Sequence, residues 1–302
     1  MSTDVVELAS LGEDVWRDLE QRHRERVEPW VAPRRDRRSR GIAHPVDDFL
    51  FDYYPYSVGR LSAWHPGHGT TLLGDARQFL ASPDYADLGD RGVTTDAGRL
   101  GRHTSRLALV ERLLSATADR EPLLGCFGMH EWAMVYRQSA DQVRHNANPL
   151  RLTTDEIADA VESTGLRCTH IDAYRFFTPE AVPLNAHTPT RAAQHELEQP
   201  GCLHANMDLY KYAQWFSPFV GSDLVADCFE LAREARELDM RASPYDLEPL
   251  GYAPIRVETA NGKREYVGSQ ARIAERAGCL RDRLLATTRT LRAASGDSPD
   301  VH

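Results

Sequence analysis

Between Ser222 and Arg241, the residues Leu224, Cys228, Leu231, Ala235 and Leu238 recur every three or four positions. That spacing puts them on one stripe of an α-helix, and a stripe of this kind must be buried against something apolar. Glu230, Arg233, Glu234, Glu237 and Arg241 then fall on solvated or paired positions, with Ser222 as the N-cap. The same periodicity governs most of the chain. Residues 1–30 read as an amphipathic helix rich in Glu and Arg that ends near Pro29. Residues 104–120 carry Leu107, Val110, Leu113 and Leu114 on one stripe, and 129–138 read as a short helix. At 153–164, Thr153 and Thr154 precede Asp155 and Glu156, a helix-start signal. Another helix is expected from near His204 to Phe216, where Pro218 stops it, and a long charged one over 268–294.

Two segments alternate instead. In 166–177 (LRCTHIDAYRFF) a strand would place Cys168, His170, Asp172, Tyr174 and Phe176 on one face. In 254–267 two alternating runs flank Asn261-Gly262, the pair favoured in a type I′ hairpin turn. The expected fold is therefore α+β, predominantly α-helical, with one small sheet made from 166–177 and this hairpin. No flexible linker interrupts 44–290. The expected organisation is an N-terminal helix and basic connector (1–40), a single globular domain (41–294) and a disordered tail (295–302).

At 302 residues, with 41% apolar and 27% charged side chains, the chain can bury a substantial core. Its formal net charge of −9 offers no general basic face to displace phosphate counterions from a nucleic acid. The run Arg34, Arg35, Arg37, Arg38 and Arg40 is the one local exception, and reads as a solvated connector. Five cysteines (Cys126, Cys168, Cys202, Cys228 and Cys279) are scattered and odd in number, which argues against a disulfide framework or a zinc ribbon. With no signal-peptide pattern at the start and no apolar run near the ~20 residues that span a bilayer, a cytoplasmic protein without a membrane partner is expected.

Ionisable groups concentrate in three segments. His170-Ile171-Asp172 would project an imidazole and a carboxylate side by side from a strand, the local half of a two-histidine, one-carboxylate facial triad; an incidental hydrogen-bonded pair is the alternative. In the helix beginning near His204, His204, Asp208 and Tyr212 are spaced by four with Lys211 beside them, a polar stripe where packing would call for an apolar one. His204 there is a ligand or general base and Asp208 its orienter, unless both merely cap the helix. His130-Glu131 shares two positions with the HExxH zinc helix, but Met134 and Val135 leave no second histidine. His130 and Arg137 share a helical face that suits an anionic substrate. Aromatics around Tyr53 and Trp64 form a candidate wall for a flat ring, or core packing. Walker A, GxGxxG and GxSxG motifs are absent.

The segments HPVDDFLFDYY, WHPGHG, GCFGMHEWAMVYR, CTHIDAYRFFT, EQPGCLHANMDLYK and the stretch from Ala226 to Tyr252 resemble, over nearly the whole chain, a largely actinobacterial family whose members are commonly named 3-methyladenine DNA glycosylase. The resemblance implies a candidate activity, a purine N-glycosylase that holds an extruded base between aromatics beside a carboxylate such as Asp172 or Asp208, with DNA as partner only in that case. It carries over no catalytic residue, because neither the Gly-rich hairpin with its following aspartate nor a helical repeat can be placed in this sequence. The residues themselves favour a metal-dependent enzyme acting on a small molecule, by non-haem iron oxidation or by metal-assisted hydrolysis. The expected metal ligands are His170, Asp172 and His204, with Fe(II) favoured over Zn. Asp208, His130 and Arg175 are the expected catalytic groups, and Arg137, Tyr174, Lys211, Tyr212 and Trp64 the substrate contacts. A non-enzymatic small-molecule binder is the third reading.

Overall fold

The computed structural model describes residues 9–139 and 148–296. Helices dominate it: α1 (Glu13–Ser39), α2 (Phe49–Tyr53), α3 (Val58–Ser62), α4 (Thr104–Ala118), α5 (Met129–Ala133), α6 (Thr154–Thr164), α7 (Ile171–Tyr174), α8 (Gln194–Leu197), α9 (Leu203–Trp215), α10 (Ser222–Arg241) and α11 (Ala260–Ala294). Four short strands, β1 (Ala9–Leu11), β2 (Thr70–Leu72), β3 (Tyr85–Asp87) and β4 (Val93–Thr95), form one sheet in the order β1-β2-β4-β3. The fold is thus predominantly helical α+β. No helix among the described residues is long and apolar enough to cross a membrane.

Two compact units divide the chain. The first comprises residues 1–111, 210–229 and 283–302; the second comprises 112–209 and 230–282.

The first unit is built on aromatic packing. β1 runs parallel to β2, while β2 and β3 each pair antiparallel to β4. Against this sheet lies a cluster of Trp16, Trp64, Leu72, Ala76, Phe79, Tyr85 and Val93. Trp16 and Phe79 meet edge to face at 5.6 Å, and the Trp16 indole N–H donates to Leu73 O at 2.9 Å. Such pairs add about 0.5–1.5 kcal/mol to the area they bury. Gly92 (φ 99°) lets β4 approach β2: a Cβ there would stand 2.3 Å from Leu72 O.

The sheet is not where alternation placed it. Segment 166–177 forms no strand. Only Leu166 bridges Asn185, the Asn185 side chain takes the Cys168 backbone N–H (2.7 Å) and carbonyl (3.0 Å), and the chain then turns into α7. Segment 254–267 is likewise no hairpin. Thr259 Oγ1 accepts the Gly262 N–H at 3.1 Å, so the threonine caps α11 and Asn261-Gly262 lies in its first turn. Gly262 is needed there because a Cβ would meet Arg256 O at 1.9 Å. α1 also differs from expectation, continuing through Pro29 and Pro33 to Ser39. The expected basic connector is therefore helical, and acidic partners hold it: Arg37 grips Asp48, and Arg34 reaches Asp48 and Asp52. The 1–30 and 295–302 expectations extend into residues 1–8 and 297–302, outside the described residues.

The second unit holds α5 to α8 and the portions of α9, α10 and α11 that fall within its residues. α6 starts at a full capping box in which Thr153 and Glu156 satisfy each other's backbone, and it buries Ile157, Ala160 and Val161. Trp132 is buried and donates to Ala242 O at 2.8 Å. The buried Arg281 donates to Asn206 Oδ1 at 2.7 Å, and Asn206 Nδ2 in turn holds Pro200 O, which fixes the start of α9.

Candidate metal centre

Ordinary helix packing puts an apolar stripe inside and charge outside. The second unit breaks that rule. From Leu203 to Leu209 every residue of α9 is buried, including His204 and Asp208, one turn apart on the same side. On α10 the charged Arg236 and Asp239 are 3% and 0% exposed. α5 contributes His130 and Glu131, both buried, through a tight approach in which Phe127 (φ 48°) and Gly128 (φ 68°) both take left-handed backbone. A non-glycine residue in that region costs of order 1–3 kcal/mol and persists where its surroundings over-determine it. His170 stands at the start of α7 and Glu198 just after α8; both are buried.

Three imidazoles and four carboxylates thereby share one interior. His204 lies edge-on to His130, with ring centroids 4.5 Å apart, and 5.5 Å from His170. His130 Nε2 sits 3.0 Å from Asp239 Oδ1 and 3.1 Å from Oδ2. Arg236 bridges Glu131 (2.9 Å) and Asp239 (3.4 Å). His170 Nε2 is 3.1 Å from Glu198 Oε1 and 3.5 Å from Asp208 Oδ2, while Gln194 donates to Glu198 Oε1 at 2.5 Å. Two sets of potential ligands result, His130/His204/Asp239 and His170/Glu198/Asp208, each with donor atoms within 4.8 Å of one another. Bonds of about 2.1 Å at right angles would separate neighbouring donors by about 3.0 Å, and His130 Nε2–Asp239 Oδ1 (3.0 Å) and His170 Nε2–Glu198 Oε1 (3.1 Å) stand at that separation.

Electrostatics separates the three histidines. Burial pushes His130 down, but the Asp239 carboxylate more than reverses this and its pKa is raised. Burial acts the same way on His170; Glu198 and Asp208 overcome it and hold that ring at about 9. His204, penalised by burial and by its cationic neighbour His130, falls well below the usual range and stays neutral, the form that ligates metal.

Beside the histidines is a cavity of about 20 Å3, lined by Cys126, Cys168, Cys202, Met129 and Tyr266 among others. Such a volume admits about one water molecule. Burial raises all three thiols, Cys168 to about 12, which favours their protonated form.

Of the residues singled out by sequence, the fold brings together His130, His170, His204 and Asp208. Asp172 is not with them. The helical turn of α7 swings it away from His170, and it pairs instead with Arg191 (2.5 Å) and Arg175 (3.4 Å), so the shared-face argument for His170 and Asp172 fails with the strand. Arg175 is half-exposed over Phe176, and Tyr174 packs on Phe177. Arg137 is exposed and pairs with Glu162. Lys211, Tyr212 and Trp64 belong to the first unit: Lys211 lies over the Tyr212 ring, and Trp64 is buried against Phe79. Sequence reasoning missed Glu198, Arg236 and Asp239. For the last two a signal exists, a charged pair three residues apart beside the small, buried Ala232 and Ala235. Glu198 lies beyond a four-residue helix, where no periodicity marks it.

No protein-family model, curated protein or solved structure matches this chain.

Proposed function

We propose that this protein is a metal-dependent enzyme acting on a small molecule, with His130, His204 and Asp239 as ligands of a catalytic ion. One observation carries the reading: two imidazoles and one carboxylate converge in a buried interior beside a small cavity. Two histidines and one carboxylate are the donor set of non-haem Fe(II) centres, which leave positions open for substrate and oxygen, and this composition favours iron over zinc. An ion there supplies Lewis acidity or redox chemistry to a ligand bound next to it.

The chain's own groups prepare that site. Arg236 bonds Asp239 and fixes the carboxylate's orientation, and Glu131 in turn anchors Arg236. His204 presents a neutral ring without needing to lose a proton. The Met129, Leu166, Phe177 and Leu203 side chains line the cavity and limit water.

Metal analysis of protein purified without added metal tests this assignment. The expected result is at least one equivalent of iron per chain, lost in His204→Ala and retained in Asp172→Ala. Metal-free protein that gains none on incubation with Fe(II), or a His204→Ala variant that keeps its ion, overturns it.

A further inference from the structure

The triad His130/His204/Asp239 leaves His170, Glu198 and Asp208 without a role, although they are among the most deeply buried polar groups in the chain, 1–2% exposed. Their arrangement is not that of a finished hydrogen-bond network. Neither ring nitrogen of His170 makes a hydrogen bond of acceptable geometry, although Nε2 is 3.1 Å from one carboxylate oxygen and 3.5 Å from another. A buried imidazole with both nitrogens in this state is expensive, since each unsatisfied polar atom costs about as much as a lost hydrogen bond. Glu198, by contrast, is anchored. Gln194 bonds Glu198 through its side chain, and Arg120 holds the Glu198 carbonyl at 2.9 Å. Asp208 rides on α9, one turn after His204. The three donor atoms lie within 4.8 Å of one another.

We infer that His170, Glu198 and Asp208 bind a second divalent cation, making the centre dinuclear, with His204 packed against His130 of the first set and His170 of the second. The inference rests on the metal-enzyme reading above. Once His170 gives up its proton on binding, two carboxylates and one neutral imidazole carry a charge of −2, which one divalent ion neutralises, and a one-nitrogen, two-oxygen donor set suits iron or manganese. Paired ions in known dinuclear sites stand about 3.5–4 Å apart and together clamp an oxygen ligand that one ion cannot hold alone. A ring-to-ring distance of 5.5 Å between His204 and His170 brings the two sets within reach of such a pairing.

The test uses the full-length protein, stripped with chelator and titrated with Mn(II), with bound metal read by elemental analysis and spin coupling by electron paramagnetic resonance. Two equivalents are expected, with the exchange-coupled spectrum of adjacent Mn(II) ions. Glu198→Gln and His170→Asn should each bind a single equivalent and show the uncoupled six-line signal, with circular dichroism matching the parent. Asp239→Asn should also retain one ion, at the second set. One equivalent in the parent, unchanged by Glu198→Gln, overturns the second site and leaves the proposed function standing. No bound metal overturns both. Two ions that are uncoupled and survive both His170→Asn and Glu198→Gln place the second ion elsewhere and also overturn the inference. Because the parent's stoichiometry is decisive alone, a variant that fails to fold does not rescue the proposal.

Discussion

The two units both bury histidines, and they bury them in opposite ways. In the first unit His23 Nε2 meets the Leu61 carbonyl at 2.9 Å and His65 Nδ1 meets the Tyr85 hydroxyl at 2.9 Å. Both rings have neutral partners, and burial drives both pKa values down, His65 to about 4. In the second unit His130 and His170 face carboxylates, and the net result is to raise them. A histidine tied to a carbonyl or hydroxyl completes a core; histidines set among carboxylates and one another form a site able to hold a cation. Between His23 and His170, which are buried alike, the difference lies in the partners.

If that contrast is right, Asp239→Ala should have the largest effect. It removes an acidic partner of both His130 and Arg236, and breaking a buried ion pair costs about 3–5 kcal/mol. Denaturant unfolding should show that loss, and elemental analysis should show departure of the first ion. Trp16→Ala in the first unit should cost a similar 3–5 kcal/mol through its cavity, yet leave metal content per folded chain unchanged. Metal loss in that variant would break the comparison.

Acid provides a milder test. His65 titrates near 4 in the folded chain against an ordinary value of 6.5. The unfolded chain therefore takes up this proton first as pH falls, so stability is full above about 6.5 and declines between there and about 4. In the metal-free protein, His65→Gln should flatten that part of the unfolding-midpoint profile; an unaltered profile would remove His65 from the account. The smallest effect belongs to Asp172→Ala. Its partners Arg191 and Arg175 are half-exposed or more, and such pairs contribute about 0–1 kcal/mol. Bound metal should stay at the parent level, and its loss would restore Asp172 as a ligand.

Much of the helical framework was legible because it follows from periodicity. The stripe at Leu224, Cys228, Leu231, Ala235 and Leu238 lies on α10 with the expected limits, Ser222 and Arg241, and the Thr153 signal heads α6. Both strand assignments failed because side chains met backbone needs locally: Asn185 took the hydrogen bonds of Cys168, and Thr259 capped a helix where Asn261-Gly262 suggested a turn. Four of the six proposed ligands were visible, since His130, His170, His204 and Asp208 lie in the three segments where ionisable groups concentrate. The other two were not. Asp239 and Glu198 come from segments 35 and 6 residues away from His204 in sequence, and only the packing of α5, α9 and α10 decides that their carboxylates turn inward. Arg236 and Asp239 are masked in the sequence by Glu230, Arg233, Glu234, Glu237 and Arg241, charges on the same helix that are expected to be solvated or paired.

A metal centre in the histidine–carboxylate interior should be visible directly. Anomalous diffraction at the iron edge, from crystals of the protein as isolated, tests this most directly. A peak bonded to His130, His204 and Asp239, with nitrogen and oxygen neighbours at about 2.0–2.2 Å, is the predicted result. A map with no peak among these side chains, or with one bound instead by Cys126, Cys168 or Cys202, would contradict it.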